Sequence, residues 1–232
     1  MRLSSSLTRA TFIKRLNRFA ALMRVEAREL MAHVPNSGRM RELLIPSATM
    51  FLTPVKRPNR KTAYDLSLVD LGHVLVSADA RLPNGLVQEA LERGKLAEFQ
   101  DYTSIRREVS YGESRLDLLL DGSRGTCYIE VKSVTLVEGG IGLFPDAPTA
   151  RGQRHMDALS QAVARGHRGA VIFVIQRRDA RGMMPNTAAD PAFCQRLQRA
   201  IQQGVEAYAY RCHVSLEEIF ITERVPVVLE KR

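Results

Sequence analysis

The sequence lacks the features that define several large protein classes. It has no tryptophan and only three cysteines, Cys127, Cys194 and Cys212, none of which have the Cys-x-x-Cys spacing of a zinc site. The cysteines therefore form neither a disulfide framework nor a metal cluster, and we expect them to be small core residues in a reducing compartment. No apolar run approaches the roughly 18 residues of a membrane span. These absences predict a cytoplasmic protein with no membrane partner.

Acidic residues are scarce in the first third of the chain. Residues 1–82 contain 14 Lys or Arg and 6 Asp or Glu, whereas residues 83–232 contain 20 and 19. The net charge of +9 thus lies almost wholly in the first segment. A basic segment joined to a nearly neutral one is typical of a protein whose first domain holds a polyanion. No acid precedes Glu26, as in an organellar transit peptide, but the later part of that stretch fits a strand better.

The first segment also lacks a convincing long helix. Apolar residues alternate with polar ones from Phe19 to Arg28, and short apolar runs follow at 30–34, 50–53 and 64–69. This spacing of strands and turns predicts a small β-barrel.

A basic loop connects two of those strands. The segment Lys-Arg-Pro-Asn-Arg-Lys at residues 56–61 places several cations where they can meet a phosphate backbone. We expect Arg57, Arg60 and Lys61 to bind nucleic acid. For any one of these residues, a solvated position in an Arg-rich protein is the alternative.

The pattern changes at Leu82-Pro83-Asn84-Gly85, where we place a boundary between domains 1–82 and 83–232. Beyond it, helical and strand periodicities alternate. Helices are predicted over 86–93 and 149–165, and a third begins at Asp190-Pro191, with strands between them. Alternating elements of this kind predict an α/β sandwich with helices flanking a mixed sheet.

A charged hairpin lies within this second segment. Two runs rich in Leu, Ile and Val flank a turn-forming stretch, Asp121 to Gly125. If the loop closes symmetrically, Asp117 lies directly opposite Glu130, with Cβ atoms roughly 5 Å apart. Because side chains alternate along a strand, Lys132 shares their face. Two carboxylates and an ammonium are therefore expected to converge.

Facing carboxylates on an apolar strand pair repel each other and need a compensating cation. Mg²⁺, or Mn²⁺ in its place, suits oxygen ligands at this density, because Mg²⁺ takes one or two carboxylates and completes its shell with water and substrate phosphate. We assign Asp117 and Glu130 as metal ligands and catalytic residues, and Lys132 as the group that orients or deprotonates the attacking water. A solvated salt bridge is the alternative for an isolated Glu-x-Lys.

Further candidate residues lie on the predicted helices. Glu89, before the sheet, is a candidate additional acid at the metal, with an exposed helix position as its alternative. Arg151 and Arg154 begin a helix whose N-terminus offers N–H groups to an anion, and we expect both to contact a nucleic-acid backbone. His155 on the same helix is a candidate phosphate contact, although a lone histidine is more often structural.

Several short segments of the sequence resemble segments of known protein families. Asp117, followed on the next strand by Glu130-Val131-Lys132, is similar to the PD-(D/E)xK nuclease superfamily, with Leu116 where the superfamily name has Pro. From about Lys14 to Pro226 the chain also resembles the sugar fermentation stimulation protein A family of bacteria and archaea. The strings that carry this second resemblance include His33-Val34-Pro35-Asn36-Ser37-Gly38-Arg39-Met40, Arg60-Lys61-Thr62, Ser114-Arg115-Leu116-Asp117 and Phe144-Pro145-Asp146-Ala147.

The resemblance implies an N-terminal OB-fold barrel followed by a PD-(D/E)xK domain, in a DNA-binding protein linked to the regulation of sugar metabolism. Such a regulator would bind DNA largely without sequence specificity, by neutralising phosphates. The intact Asp117, Glu130 and Lys132 favour a Mg²⁺-dependent endonuclease as the alternative. An RNA-binding OB protein also stays open, because OB folds take either type of strand. The sequence does not determine the oligomeric state.

Overall fold

The computed structural model describes residues 1–4, 6–55 and 60–229. Fifteen strands and three α-helices lie within those ranges, together with a short 3₁₀ helix at Ala97–Phe99. In chain order they are β1 (Thr8–Asn17), β2 (Ala20–Val25), β3 (Arg28–His33), β4 (Thr49–Pro54), β5 (Tyr64–Asp70), β6 (Leu75–Ser77), α1 (Leu82–Glu92), β7 (Tyr102–Tyr111), β8 (Ser114–Gly122), β9 (Gly125–Val134), β10 (Val137–Glu138), β11 (Ile141–Phe144), α2 (Ala150–Ala164), β12 (Arg168–Ile175), β13 (Gly182–Pro185), α3 (Pro191–Gln202), β14 (Glu206–Val214) and β15 (Ile219–Val225).

The first five strands form a closed barrel. β1 pairs with β2 and β4, β2 pairs with β3, and β4 pairs with β5, all antiparallel. The barrel closes where His33 of β3 meets Asp65 of β5 in a parallel pairing, and β6 extends the sheet beside β5. Its interior is apolar, with Met23, Met50 and Leu66 fully buried. The predicted OB-like barrel is confirmed.

The second unit is a mixed six-stranded sheet with helices on both faces, as predicted. Its strand order is β15-β14-β12-β9-β8-β7, in which β12 runs parallel to β9 and β14. α1 covers one face and packs Leu86 in a core with Ile129 of β9. α2 and α3 cover the other face, where Leu159 and Phe193 pack in a core with Phe173 of β12. The three short strands β10, β11 and β13 form a separate small sheet.

The predicted boundary between residues 82 and 83 lies at the start of a helix. The stretch that reads as a break is the first turn of α1, which begins at Leu82 and accommodates Pro83 where a missing N–H costs no helical bond. The first residues of the chain lie on the second unit, because Met1 N donates to Ile219 O (2.9 Å) and Leu3 N donates to Glu217 O (2.8 Å). A cut between residues 82 and 83 therefore crosses the first turn of α1.

Within the described ranges, no helix combines the length and the apolar character needed to cross a membrane. All three cysteines are free thiols. Cys127 and Cys212 are buried, as expected for small core residues, and Cys194 is half-buried.

Asp65 links the closure of the barrel to the start of α1. Its buried carboxylate lies 3.0 Å from His33 Nδ1, accepts a bond from Arg81 Nη2 at 2.9 Å and pairs with Arg60. Arg81 is the N-cap residue of α1 and also bonds Asp79 at 2.6 Å. Burial favours the neutral acid, but the hydrogen bonds from Arg60 and Arg81 outweigh it and hold the pKa of Asp65 below its usual value. This carboxylate thus orients the second unit relative to the barrel.

We expect Asp65→Asn to lower the free energy of unfolding at pH 7 by roughly 2 kcal/mol, because it weakens several charge-assisted hydrogen bonds at once. A carboxylate with a depressed pKa stabilises the fold above its unfolded pKa, and that stability is lost as the pH falls through the folded pKa. The difference from wild type should therefore begin to shrink near the unfolded pKa of about 3.9 and disappear only as the pH falls through the lower folded pKa. Urea denaturation at several pH values measures this difference in the free energy of unfolding. Asp70→Asn, at an aspartate whose carboxylate accepts the N–H of Gly72 at 2.7 Å, is the control, and an equal loss in both variants would contradict the assigned role.

Candidate functional site

The β8–β9 hairpin has the predicted register but ends earlier than expected. Its pairs run from Gly122↔Gly125 to Leu118↔Ile129, and no further pair joins the strands. The symmetric hairpin of the sequence prediction continues one step further, to a direct pair of Asp117 with Glu130. The structure has no backbone pair of Asp117 with Glu130, because the ladder ends one step earlier.

The side chain of Asp117 takes the place of the next backbone pair. Its Oδ2 accepts the backbone N–H of Val131 at 2.8 Å, in place of the next backbone hydrogen bond of the ladder. Its Oδ1 accepts a bond from Asn84 Nδ2 at 2.8 Å, which ties it to the first turn of α1. Asn84 reads as a turn residue in the sequence, and its role depends on the helix beginning two residues earlier. Asp117 is thus held from two sides in a fixed orientation.

Glu130 is surrounded by two cationic or potentially cationic groups. Lys132 Nζ donates to Glu130 Oε1 at 2.6 Å, and His155 Nδ1 of α2 contacts the same oxygen. The residues Glu130, Lys132 and His155 are 3%, 8% and 3% exposed. Glu130 Oε2 is also buried, and in the part of the chain that the structure describes it has no hydrogen-bond partner. Buried polar atoms are normally paired, so an unpaired carboxylate oxygen indicates a position for a ligand.

The two carboxylates have opposite pKa shifts. Burial first, and then the charge of Glu130, raise the pKa of Asp117 to about 6. Burial also disfavours the charge of Glu130, but Lys132 and His155 outweigh it and hold the pKa of that carboxyl below its usual range. A neighbouring like charge disfavours the ionised form of an acid, so it raises the pKa of one of the two carboxyls. Repulsion between them is the electrostatic cost that a bound cation would remove.

Asp117 and Glu130 are the residues that could hold a metal ion. Among residues 1–4, 6–55 and 60–229, no three His, Cys, Asp or Glu side chains are grouped to ligate one. A structural zinc site needs about four protein ligands and does not fit. Mg²⁺ needs only one or two protein carboxylates and keeps several waters, so a two-carboxylate site with an unpaired buried oxygen does fit.

The barrel supplies one wall of the cleft at this site. A cleft of about 190 Å³ is lined by Lys132 and its neighbours in β9, by the segment after β11 and by Arg18, Asn36 and Gly38 of the barrel. Asp146 of the second unit accepts the backbone N–H of Met40 at 3.0 Å and fixes this wall. A Cβ on Gly38 would lie 2.5 Å from the Asp146 carboxylate, so only glycine allows this approach. Sequence periodicity indicates single strands and helices, so it could not predict a cleft wall that residues of two domains build together.

The structure places Glu89 away from these groups. Its carboxylate pairs with the N-terminal ammonium of Met1 (2.8 Å) and with Arg93 (2.7 Å), and these partners lower its pKa. It lines a small depression with Phe220 on the α1 side of the sheet. The prediction of Glu89 as an additional metal acid is therefore not supported. Asn84 is the residue of α1 that reaches the site.

The helix predicted to meet an anion begins as expected. Thr149 is its N-cap, and the threonine hydroxyl accepts the N–H of Gly152 at 3.0 Å, so this N–H is not available to a ligand. Arg151 and Arg154 are exposed, and Arg151 Nε donates to His155 Nε2 at 3.4 Å. The other ring nitrogen of His155, Nδ1, faces Glu130. Backbone contacts by the two arginines stay a prediction.

The basic loop of the barrel is only partly described. Arg57 lies outside the described residues. Arg60 is paired with the buried carboxylate of Asp65, which neutralises its charge and makes it part of the fold. Lys61 is exposed. Nucleic-acid binding by Arg60 and Lys61 stays a prediction, and the structure adds a structural role for Arg60.

We expect Asp117→Asn to change the pH dependence of stability in the metal-free protein. Because the folded pKa is raised from 3.8 to about 6, the folded state takes up a proton in that range and the unfolded state does not. Wild type should therefore gain up to about 3 kcal/mol relative to Asp117→Asn as the pH falls from 7 to 4, at 1.36 kcal/mol per pKa unit.

Urea denaturation in EDTA at several pH values measures this difference. Glu130→Gln should shrink it, because the variant removes the neighbouring charge that helps to raise the pKa of Asp117. Parallel pH profiles for wild type and Asp117→Asn would show that Asp117 is already ionised at low pH.

Comparison with known proteins agrees with this architecture. The SfsA N-terminal OB domain matches residues 13–78, and the sugar fermentation stimulation protein RE domain matches residues 81–218. The sugar fermentation stimulation protein homolog of Desulforamulus reducens is 47% identical over 96% of this chain and 93% of that protein. The homolog of Geobacter metallireducens is 46% identical over 99% of this chain and 100% of that protein.

A solved structure has the same fold. Pyrococcus furiosus SfsA, determined in complex with Ca²⁺, matches with a TM-score of 0.90 and 32% identity over 98% of this chain and 99% of that one. Both domains are thus matched in order by family models, and the whole chain is matched by relatives and by a solved structure. The chain belongs to the sugar fermentation stimulation protein family.

Proposed function

We propose that this protein binds DNA, largely without sequence specificity, and hydrolyses its phosphodiester bonds with the help of Mg²⁺ or Mn²⁺. The observation that carries the proposal is the buried Glu130 Oε2, which has no partner within the described residues and lies beside Asp117 and Lys132. A chain that used this domain only for binding would have no need to keep two repelling carboxylates and a buried ammonium together, because such charges are costly without a ligand.

Each residue of the site has a separate task. Asp117, held by Val131 N–H and Asn84, and Glu130, held by Lys132 and His155, present oxygens of fixed orientation to a cation. A bound Mg²⁺ would neutralise their repulsion, polarise a phosphate oxygen and lower the pKa of a coordinated water. The Ca²⁺ complex of the Pyrococcus furiosus relative supports a divalent-cation site in this family.

Lys132 acts on the substrate side of the site. Its ammonium is hydrogen-bonded to Glu130 at 2.6 Å and lines the cleft. From there it can orient the attacking water and stabilise the charge that develops on the phosphate oxygens, which is worth most in a water-excluded setting. The hydrogen bond to Glu130 keeps the amine in place before substrate arrives.

The basic barrel supports DNA as the substrate. Residues 1–82 carry 14 basic and 6 acidic residues, and this unit forms one wall of the cleft. Attraction between basic residues and phosphates supplies sequence-independent affinity. A regulator of sugar metabolism that binds DNA without cleaving it is the second candidate. It is supported by this charge distribution and by the name of the family.

We expect millimolar Mg²⁺ or Mn²⁺ to raise the melting temperature of wild type by about 5–10 °C at 100-fold excess over the dissociation constant, because the folded state alone binds the cation. Asp117→Ala and Glu130→Ala should fold and lose this shift. Lys132→Ala should keep the shift but cleave DNA about 100-fold more slowly, because it removes a group that acts on the transition state.

Thermal melts and cleavage of plasmid and oligonucleotide DNA, with and without metal, measure both effects. Lys95→Ala removes a lysine from the α1 side of the sheet, where Lys95 lines the same depression as Glu89, and serves as the control. DNA binding without metal-dependent cleavage by wild type would favour the regulator. A melting temperature that neither cation changes would contradict the metal site. Lys132 and Glu130 would then be a structural ion pair, with Asp117 as a buried acid beside it.

We expect DNA affinity to fall steeply with salt and to vary little with sequence. Replacing Arg151 and Arg154 together by Ala should weaken binding and lower the slope of log affinity against log salt by up to about 2, because each duplex phosphate contact contributes about 0.9. The matched control is Arg93→Ala with Lys95→Ala, which removes the same charge from the α1 side of the sheet. Anisotropy titrations with two unrelated duplexes in EDTA measure the slopes, and equal slopes for both double variants would exclude the start of α2 from the interface.

A further inference from the structure

An arginine and a phenylalanine are exposed together at the tip of the β1–β2 hairpin. Phe19 is 47% exposed, and the guanidinium carbon of Arg18 lies 5.5 Å from the centroid of its ring. Arg18 also lines the cleft that contains Lys132. A cation and an aromatic ring therefore lie next to each other beside the cleft that Lys132 lines.

The hairpin tip is held rigidly in this position. Phe19 N donates to Asn17 Oδ1 at 2.9 Å, and Phe19 O accepts the N–H of Val34 at 2.9 Å. Arg15 donates to the carbonyl oxygens of Gly38 at 2.8 Å and Arg18 at 2.6 Å, which ties the hairpin to the barrel wall of the cleft. A binding surface that is ordered in advance loses little conformational entropy when a ligand arrives.

The chemistry of the pair matches one nucleotide. A guanidinium binds phosphate oxygens, and an aromatic ring stacks on the face of any base, which is the combination that single-strand binding proteins use. Stacking on an exposed ring needs a base that is not paired within a duplex. His33 stacks against the same ring with a centroid distance of 6.4 Å, and Phe19 is nevertheless 47% exposed.

The hairpin and the candidate site share one cleft, because Arg18 and Lys132 both line it. A strand that meets Arg18 through one phosphate can therefore present a neighbouring phosphodiester to Lys132.

We propose that Arg18 and Phe19 form a binding site for one unpaired nucleotide, in which Arg18 binds the phosphate and Phe19 stacks on the base. The proposal rests on the proposed function and adds the form of the substrate, which is single-stranded or frayed DNA. The nucleotide at the hairpin neighbours the phosphodiester at Lys132 along the strand.

Binding without cleavage tests the proposal. Full-length protein in EDTA is titrated with two fluorescent DNA oligonucleotides of equal length and charge, one with normal bases and one abasic throughout its central part. Wild type should bind the normal strand about 5- to 100-fold more tightly, which is the range for stacking one base on an aromatic ring. Phe19→Ala should lose this preference and leave affinity for the abasic strand unchanged, whereas Phe19→Tyr should keep it.

Arg18→Ala should weaken binding of both strands and lower the salt slope by about 0.7, the value for one phosphate contact to a single strand. Ile45→Ala removes a side chain of the same barrel with equal exposure, 47%, and should change neither property. Melting temperatures equal to wild type confirm that each variant folds, as expected for exposed side chains.

Two results would overturn the proposal. Wild type that binds the normal and abasic strands equally would show that no base stacks, and Phe19→Ala with an unchanged base preference would show that stacking occurs elsewhere. In both cases the proposed DNA binding and hydrolysis stand, because they are measured with other residues. Wild type that binds neither strand nor duplex DNA would instead overturn the proposed function together with this site.

Discussion

The separation of β8 from β9 after the Leu118↔Ile129 pair is the constraint on which the site depends. A ladder that continued would use the N–H of Val131 for a backbone bond. Because the ladder ends there, that N–H is given to Asp117. The carboxylate of Asp117 is thereby held on a core strand beside the charge of Glu130.

The two units of the protein complete the site together. Asp65 bonds Arg81 at the start of α1, and α1 in turn presents Asn84 to Asp117. On the other side, Asp146 bonds the backbone of Met40 and brings the barrel against the cleft. The barrel is therefore more than a separate module that adds affinity. It forms one wall of the cleft that Lys132 lines.

Much of the fold was predictable because its signals are local. Asp190-Pro191 begins α3 with the side chain accepting from Phe193 N, and the hairpin register follows from its turn. β1 was not recognised, because two bulges interrupt its alternation of polar and apolar residues. The start of α1 was misplaced because Pro83-Asn84-Gly85 has the composition of a turn, and a proline in the first turn of a helix has the same local signature as a loop.

The sequence by itself determined which charged residues share the hairpin, since strand periodicity and turn chemistry act over a few residues. Only the tertiary structure decided their partners. Asn84, His155 and the barrel wall at Gly38 come from distant segments of the chain. Arg60 forms an ion pair with Asp65, and Glu89 forms one with the N-terminal ammonium. Whether a charge is paired, buried or open to a substrate depends on which surfaces pack together, and no local pattern records that.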